Sequence, residues 1–277
     1  QVVFRFISDP AAQIAALKAG EIDVIGYILA PESAVMLAKD KRFKVYAGTT
    51  TGEVIMSTNN RATPFDNRLV RQALAHAIDR QAVVELVMFG YGTPIGSHWS
   101  PSTPYYRDLT GKFPYDPQKA RALLKQAGYP NGFEATIKLP AIYSYSRRAG
   151  EVIADMLGQV GIKLKIEVVE WGYWLDRIFK QKEFDLTMIG HVEAWDIGIY
   201  ANPNYYFQYD SQAFRDAYAA SQPVKDYSLV APFYFSGTVG VYHTNPPREL
   251  QPREIHRHHG IGVLPGHGPD PDLLPLP

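Results

Sequence analysis

Cysteine is absent from the 277 residues. That absence excludes disulfides, thiolate zinc sites and cysteine nucleophiles. An excess of charge is absent too, because Lys+Arg and Asp+Glu number 28 each. No net field therefore draws the chain to nucleic acid or anionic lipid, and we expect no nucleic-acid partner. Long hydrophobic runs are also missing, so the sequence predicts no membrane-spanning helix.

The start of the chain lacks the charged residues and apolar stretch of a signal peptide. Residues 2–7 instead alternate like a strand from the outset. We therefore expect that an N-terminal portion is missing, rather than that the protein is cytoplasmic.

Aromatic residues are abundant, with 18 Tyr and 4 Trp. Each offers a flat apolar face and one hydrogen-bonding tip, which suits a site for a small polar ligand. The same residues would also serve to fill a mixed core, and composition does not separate the two uses.

Strand-like and helix-like patterns alternate through most of the chain, which predicts an α/β fold. A long irregular loop is predicted at 90–117, and a strand pair around Ser236-Gly237 within 230–242. After Asn245 the chain is rich in Pro, His and Gly without periodicity, which predicts a disordered tail, although a foreign terminus fits equally well. The predicted strands are 2–7, 22–25, 43–46, 53–57, 133–139, 162–169 and 184–189, and the predicted helices are 11–19, 31–39, 69–78, 81–89, 117–126, 146–160 and 171–180.

Four stretches, taken in order, resemble the periplasmic solute-binding proteins of the dipeptide, oligopeptide and nickel ABC importers (family 5 extracellular binding proteins). Each stretch is weak alone, and their common order carries the resemblance. They are Gly20-Glu21-Ile22-Asp23-Val24; Asn59-Asn60 with Pro64-Phe65-Asp66, Val70-Arg71-Gln72-Ala73-Leu74 and Ala77-Ile78-Asp79-Arg80; Tyr115-Asp116-Pro117 with Ala127-Gly128-Tyr129; and Val160-Gly161-Ile162 leading into Glu170-Trp171.

The resemblance implies a bilobal fold of the type II, peptide-binding class, with the ligand enclosed between two lobes. It implies a partial first lobe at 1–59, a second lobe at 60–226, a return segment at 227–245 and a tail at 246–277. The family's further N-terminal stretch is missing, and so is a helix expected between Ala220 and Ala231. The first lobe is therefore expected to be incomplete.

The resemblance also implies a function: capture of dipeptide-like zwitterions outside the cytoplasm, by a monomer that serves a membrane-embedded ABC permease, with no cofactor. Catalysis is not expected, since no Gly-x-Ser-x-Gly elbow, His-Glu-x-x-His helix or phosphate-binding glycine loop is present. One alternative is a nickel or metal-complex binder of the same family that uses His191 with Glu193, or the tail residues His256, His258 and His259. The other is a fragment that binds nothing.

Arg147 and Arg148 are the candidate partners of a ligand carboxylate. They follow Tyr143 and Tyr145, which are candidate wall residues, at a predicted strand-to-helix junction. The planar fork of arginine suits a carboxylate, and a helix N-terminus favours anions. Dipeptide-binding relatives have a similar arginine pair after a strand. The alternative is a solvated helix start.

Asp196 is the candidate partner of a ligand ammonium, with Glu193 as a second choice and Trp195 as an apolar wall. The three follow a buried strand, and ligands of open α/β sheets bind beyond the carboxyl ends of strands. Relatives have a Trp and an Asp in this region. A loop Asp that caps local amides is the alternative.

Two tryptophans three residues apart, Trp171 and Trp174, share one face of a predicted helix. Trp171, at the helix start, is the candidate ligand contact, and Trp174 is assigned to the core. His98 and Trp99 in the long loop are expected to cover the hinge rather than face the ligand.

Overall fold

The computed structural model describes residues 2–28, 30–103, 106–192, 196–220, 235–236 and 238–243. Its strands are β1 (Val24–Ile25), β2 (Phe43–Gly48), β3 (Glu53–Thr58), β4 (Thr93–Pro94), β5 (Phe133–Pro140), β6 (Ile162–Val169), β7 (Leu186–His191), β8 (Phe235–Ser236) and β9 (Thr238–His243). Its helices are α1 (Pro10–Ala19), α2 (Pro31–Leu37), α3 (Arg68–Ala77), α4 (Arg80–Met88), α5 (Pro117–Gln126), α6 (Ser144–Gly158), α7 (Trp171–Tyr173) and α8 (Gln212–Ala219). A π-helix (Trp174–Lys180) continues α7, and two 3-10 turns lie at Thr110–Lys112 and Asp196–Ala201.

Side-chain caps fix where several helices begin. Asp9 accepts from the Ala12 amide at 2.7 Å ahead of α1, and Asn67 accepts from the Leu69 amide at 2.9 Å ahead of α3. Such bonds satisfy amides that the first helical turn leaves without a partner. Local signals therefore place these helices close to where the sequence predicts them.

A three-stranded sheet and helices α1 and α2 form a small body. Strand β9 runs antiparallel between β1 and β2. Its separate apolar core consists of Ile14, Leu17, Ile25, Ile28, Ala34, Leu37 and Phe43.

A six-stranded sheet, ordered β4-β8-β3-β7-β5-β6, forms the centre of a large body. Strand β5 is parallel to both β6 and β7, whereas β3 is antiparallel to β7. Helices α3, α4, α5 and α6 share one apolar core with this sheet, including Leu74, Leu124, Ile137, Ile153 and Leu186. None of the described helices has the length and apolarity needed to cross a membrane.

Three predicted elements differ from the structure. Residues 2–7 form no strand, and Phe4 and Phe6 are exposed; the alternation there has no neighbouring strand in the described part of the chain to pair with. The predicted strand pair is not a hairpin, because β8 pairs with β3 and β4 whereas β9 pairs with β1 and β2. The chain thus passes from one sheet to the other at this point.

The third difference lies in the predicted helix 171–180, which is α-helical only at Trp171–Tyr173 and then becomes a π-helix. The predicted lobe boundaries at 59/60 and 226/227 stay predictions. Strand β3 lies before the first of these boundaries in the sequence, and it pairs with β7, which lies after that boundary. The predicted tail 246–277, the missing helix near 220–231 and most of the return segment fall outside the described residues.

Candidate functional site

The carboxyl ends of three neighbouring strands meet at one edge of the six-stranded sheet. Because β5, β6 and β7 are parallel, their ends point the same way. Tyr143 and Tyr145 follow β5, Trp171 follows β6, and His191 ends β7. Crevices beyond strand carboxyl ends are the usual ligand sites of open α/β sheets.

Three of the predicted site residues lie together at this edge. Tyr143 and Tyr145 stack with ring centroids 5.4 Å apart and planes 27° apart, and Tyr143 meets Trp171 edge to face at 6.3 Å. Tyr145 is buried, and its hydroxyl lies beside Gly190 of β7, where a methyl group would be in ordinary contact with it at 3.5 Å. The phenol therefore reaches from the start of α6 to the end of β7.

The small body contributes a second phenol to the same edge. Burial raises the pKa of Tyr145 well above its ordinary value, and the nearby phenols of Tyr27 and Tyr143 raise it further. Partial burial also raises the pKa of Tyr27, although this residue is still 49% exposed. Both phenols are therefore neutral hydrogen-bonding groups. Tyr27 follows β1, so an aromatic residue of the small body lies near this edge of the large one.

The two predicted arginines contact different parts of the protein. Arg147 is 76% exposed, and its Nε lies 3.1 Å from Glu151 on the same helix. Arg148 reaches the small body: its Nη1 is 3.6 Å from Glu32 Oε2, and its guanidinium lies 5.1 Å from the centre of the Phe89 ring. Only the second arginine thus joins the junction of the two bodies.

His191 takes part in a buried hydrogen-bond network. Its Nε2 lies 3.2 Å from the Tyr206 hydroxyl, the two rings stack, and that hydroxyl is 2.7 Å from Ser57 Oγ. Among the residues that the structure describes, no three His, Cys, Asp or Glu side chains gather in a way that would hold a metal ion. Glu193 and the tail histidines His256, His258 and His259 lie outside that part of the chain.

The predicted ammonium partner, Asp196, lies in the turn after β7. Asp196 begins the Asp196–Ala201 turn, which follows β7 as expected, while Glu193 and Trp195 lie outside the described residues. The role of an acidic side chain in this segment stays a prediction.

Trp174 is fully buried, which confirms its assignment to the core. Its indole stacks on Trp171 at 5.0 Å with planes 4° apart, and its Nε1 donates to Thr187 Oγ1 at 2.9 Å. Thr187 in turn donates to the Lys138 carbonyl at 2.6 Å. This chain of bonds fixes the wall that carries Trp171.

Some residues near the site were not predicted from the sequence, namely Tyr27, Glu53, Tyr200 and Tyr206. The sequence contains a signal for Glu53: it is an acidic residue at the first position of a strand, and the residues that follow it are apolar. It lies 2.6 Å from His98 Nδ1 with both side chains buried. His98 was expected to cover a hinge, and it is instead half of this buried pair.

Comparison with known proteins identifies relatives in sequence and in fold. Residues 1–215 match the family described as bacterial extracellular solute-binding proteins, family 5, middle. The glutathione-binding protein GsiB of Salmonella choleraesuis (strain SC-B67) is 36% identical over 171 residues, which are 62% of this chain and 33% of that protein.

Two solved structures show the same fold. The periplasmic binding protein DppA of Helicobacter pylori in complex with the peptide STSA has a TM-score of 0.74 at 24% identity, over 86% of this chain and 52% of that one. NikA of Brucella suis in complex with Fe(III)-EDTA has a TM-score of 0.71 at 17% identity, over 86% of this chain and 56% of that one.

The chain spans 33% of the length of the curated relative and about half of each solved structure. The α/β class, the likeness to periplasmic peptide-binding proteins and the family resemblance are confirmed, and the relatives are binding proteins rather than enzymes. The chain belongs to the family 5 bacterial extracellular solute-binding proteins.

Proposed function

We propose that the protein containing this chain captures a small zwitterionic solute, a short peptide or glutathione, between the small and large bodies. It acts outside the cytoplasm as a monomer and passes the solute to the membrane permease of an ABC importer. The observation that carries the proposal is the contact of Arg148 with Glu32 at 3.6 Å, which joins the small body to the helix that follows β5 at the carboxyl ends of the parallel strands.

The aromatic edge suits the backbone of a peptide. Tyr143 and Trp171 are partly exposed and offer aromatic surface to apolar atoms of the ligand, while the buried Tyr145 stacks on Tyr143. The phenols of Tyr27 and Tyr145 stay neutral, so they do not repel either end of a zwitterion. This wall favours polar ligands of modest size and tolerates different side chains.

The charged ends require opposite charges in the protein. Arg148 lies where the two bodies meet and is the better candidate for the carboxylate, whereas Arg147 is turned to solvent and to Glu151. Asp196, with Glu193 as the alternative and Trp195 beside them, is proposed for the ammonium. A ligand held in this way contacts both bodies at once and therefore stabilises the closed arrangement.

Titration calorimetry on the intact protein tests the proposal, with glutathione, a dipeptide, the N-acetylated dipeptide and nickel as probes. We expect binding of glutathione or the dipeptide, and at least about tenfold weaker binding of the acetylated form, because acetylation removes the ammonium charge. Equal affinity for free and acetylated dipeptide would remove the role of Asp196 and Glu193. Binding of nickel alone would favour the metal-complex alternative.

A further inference from the structure

A buried contact between a carboxylate and an imidazole lies beside the candidate site and is not part of its aromatic surface. Glu53 opens β3 and His98 lies in the long loop, and Glu53 Oε1 is 2.6 Å from His98 Nδ1. Each side chain is 3% exposed. A carboxylate only accepts hydrogen bonds, so His98 is the member of the pair that can donate. A charge is rarely buried this deeply without a specific partner.

Glu53 adjoins the start of the segment that follows β7. It stands opposite His191 in the antiparallel register of β3 and β7. Its neighbour Gly52 also lies beside the end of β7, because a methyl group there would be in ordinary contact, at 3.5 Å, with the His191 carbonyl oxygen and Val192 Cγ1. The β3 end of the pair thus lies next to the point where the chain leaves the sheet.

His98 adjoins the other end of the same segment. Its Nδ1 lies 3.2 Å from the Tyr200 hydroxyl, and the two rings meet edge to face at 5.1 Å. Tyr200 is buried within the Asp196–Ala201 turn. The Glu53–His98 contact therefore links the start of β3, which lies beside the end of β7, with the Asp196–Ala201 turn.

We propose that Glu53 and His98 are positioning residues: their buried contact holds the Asp196–Ala201 turn in a fixed relation to the end of β7. The proposal rests on the proposed function only for its effect on ligand, because that turn carries Asp196. Neither residue needs to touch the solute. The pair acts by linking Tyr200 of the turn to the start of β3, which pairs with the end of β7.

A purely structural role makes a different prediction. If the pair merely filled the core, replacing both members by leucine would preserve or raise stability and leave the turn and the binding site unchanged. Paired apolar replacements of buried ion pairs are often neutral or stabilising, because no charge remains buried alone. The double variant Glu53→Leu/His98→Leu therefore separates positioning from packing.

Hydrogen exchange on the intact, ligand-free protein is the first measurement. We expect amides of 196–201 to exchange at least about tenfold faster in the double variant, while amides of β6 keep their rate. Leu124→Ala in α5 is the control, because Leu124 is buried in the core of the large body and lies on a different element. It should lower protection generally and not selectively at 196–201.

Two single variants guard against failure of the double variant to fold. In His98→Asn the amide nitrogen takes the place of Nδ1 and donates to Glu53, so protection of 196–201 should stay near that of the natural sequence. In Tyr200→Phe the ring contact with His98 remains and the hydroxyl is lost, so a smaller rise in exchange is expected. Natural exchange rates at 196–201 in both the double variant and Tyr200→Phe would overturn the proposal.

Calorimetry with glutathione and a dipeptide is the second measurement. We expect the Kd of the double variant to rise by at least about tenfold while Leu124→Ala changes it less than about twofold. If the natural protein binds neither probe, the proposed function fails, and hydrogen exchange alone decides the positioning role. If exchange at 196–201 rises but the Kd stays the same, the link to ligand binding is wrong.

Discussion

Arg148 of α6 and Glu32 of α2 form an ion pair between the large and small bodies, with Nη1 3.6 Å from Oε2. The adjacent Arg147 pairs instead with Glu151 on its own helix. Two arginines that are neighbours in sequence therefore face different surroundings. The difference follows from the 100° turn per residue of an α-helix, which directs consecutive side chains to different faces.

The first prediction concerns which arginine serves a ligand carboxylate. Arg148→Gln should weaken dipeptide binding by about 10- to 150-fold, because a hydrogen bond to a charged group contributes about 1.5–3 kcal/mol. Arg147→Gln is the matched control and should change the Kd by less than about twofold, since the Arg147 side chain is 76% exposed and pairs with Glu151 on its own helix rather than with the small body. Calorimetry that ranked the two variants in the opposite order would assign the carboxylate to Arg147.

The second prediction concerns Gly132, which precedes β5 and has a φ of 75°. A methyl group there would collide with the carbonyl oxygen of Gly161, which precedes the paired strand β6. Gly128 has a similar φ of 92° but open space around it. Both Gly→Ala variants should lose about 1–2 kcal/mol to the left-handed backbone, and Gly132→Ala about 1–3 kcal/mol more from the collision.

Urea unfolding measures this difference directly. The comparison between the two glycines cancels the shared cost of the backbone conformation, so the remainder reports how tightly the two turns approach. Equal losses in free energy of unfolding for Gly132→Ala and Gly128→Ala would mean that the turns before β5 and β6 separate easily.

Much of the fold was predictable because its signals are local. Helix α5 begins and ends as predicted, since Asp116 accepts from the Lys119 amide at 2.8 Å and Pro117 opens the first turn. Strand β6 also has its predicted bounds, because its alternation extends over eight residues. In both cases the decisive residues lie within the element or next to it.

Features that depend on distant partners were not predictable. The alternation of residues 2–7 is typical of a strand, but a strand forms only beside another strand, and pairing is not encoded within one segment. The same holds for β8 and β9, which are adjacent in sequence and lie in different sheets. The π-helix after Trp171 adjoins a tryptophan stack whose position depends on Thr187 across the body.

The residues of the candidate site also fall into a group that the sequence predicts and a group that it does not. Tyr143, Tyr145 and Trp171 were predictable because each follows a recognisable strand, and parallel strands bring their ends together. Tyr27 and the partnership of Glu53 with His98 were not, because they join segments far apart in the chain.

The third prediction concerns the bond between Trp174 and Thr187. Trp174→Phe should lower the free energy of unfolding by about 1–3 kcal/mol through the lost hydrogen bond, and somewhat more through the smaller ring. Thr187→Val removes the acceptor and also the donor to the Lys138 carbonyl. A double-mutant cycle measured by urea unfolding should give a coupling of about 0.5–3 kcal/mol. A coupling near zero would show that the indole is held by packing alone.

The fourth prediction concerns pH and His76, which is buried on α3 with Nδ1 2.7 Å from the Pro114 carbonyl oxygen. A carbonyl only accepts, so Nδ1 donates in the neutral ring. Burial lowers the pKa of His76 below its ordinary value. The folded state therefore binds a proton less readily than the unfolded chain does. Stability from the neutral ring is fully present above about pH 6.5 and is lost as the pH falls through the lowered pKa.

Urea unfolding at about pH 7.5 and about pH 5 tests this sign. The natural sequence should be less stable at the lower pH, and His76→Gln should lose part of that difference because glutamine does not titrate. Leu124→Ala on the neighbouring helix α5 is the control: it should lower stability by a similar amount at both pH values, since it removes apolar contacts and no titrating group. An unchanged pH dependence in His76→Gln would assign the effect to other groups. A pH dependence of the opposite sign in the natural sequence would mean that its protonated ring is the form stabilised by folding.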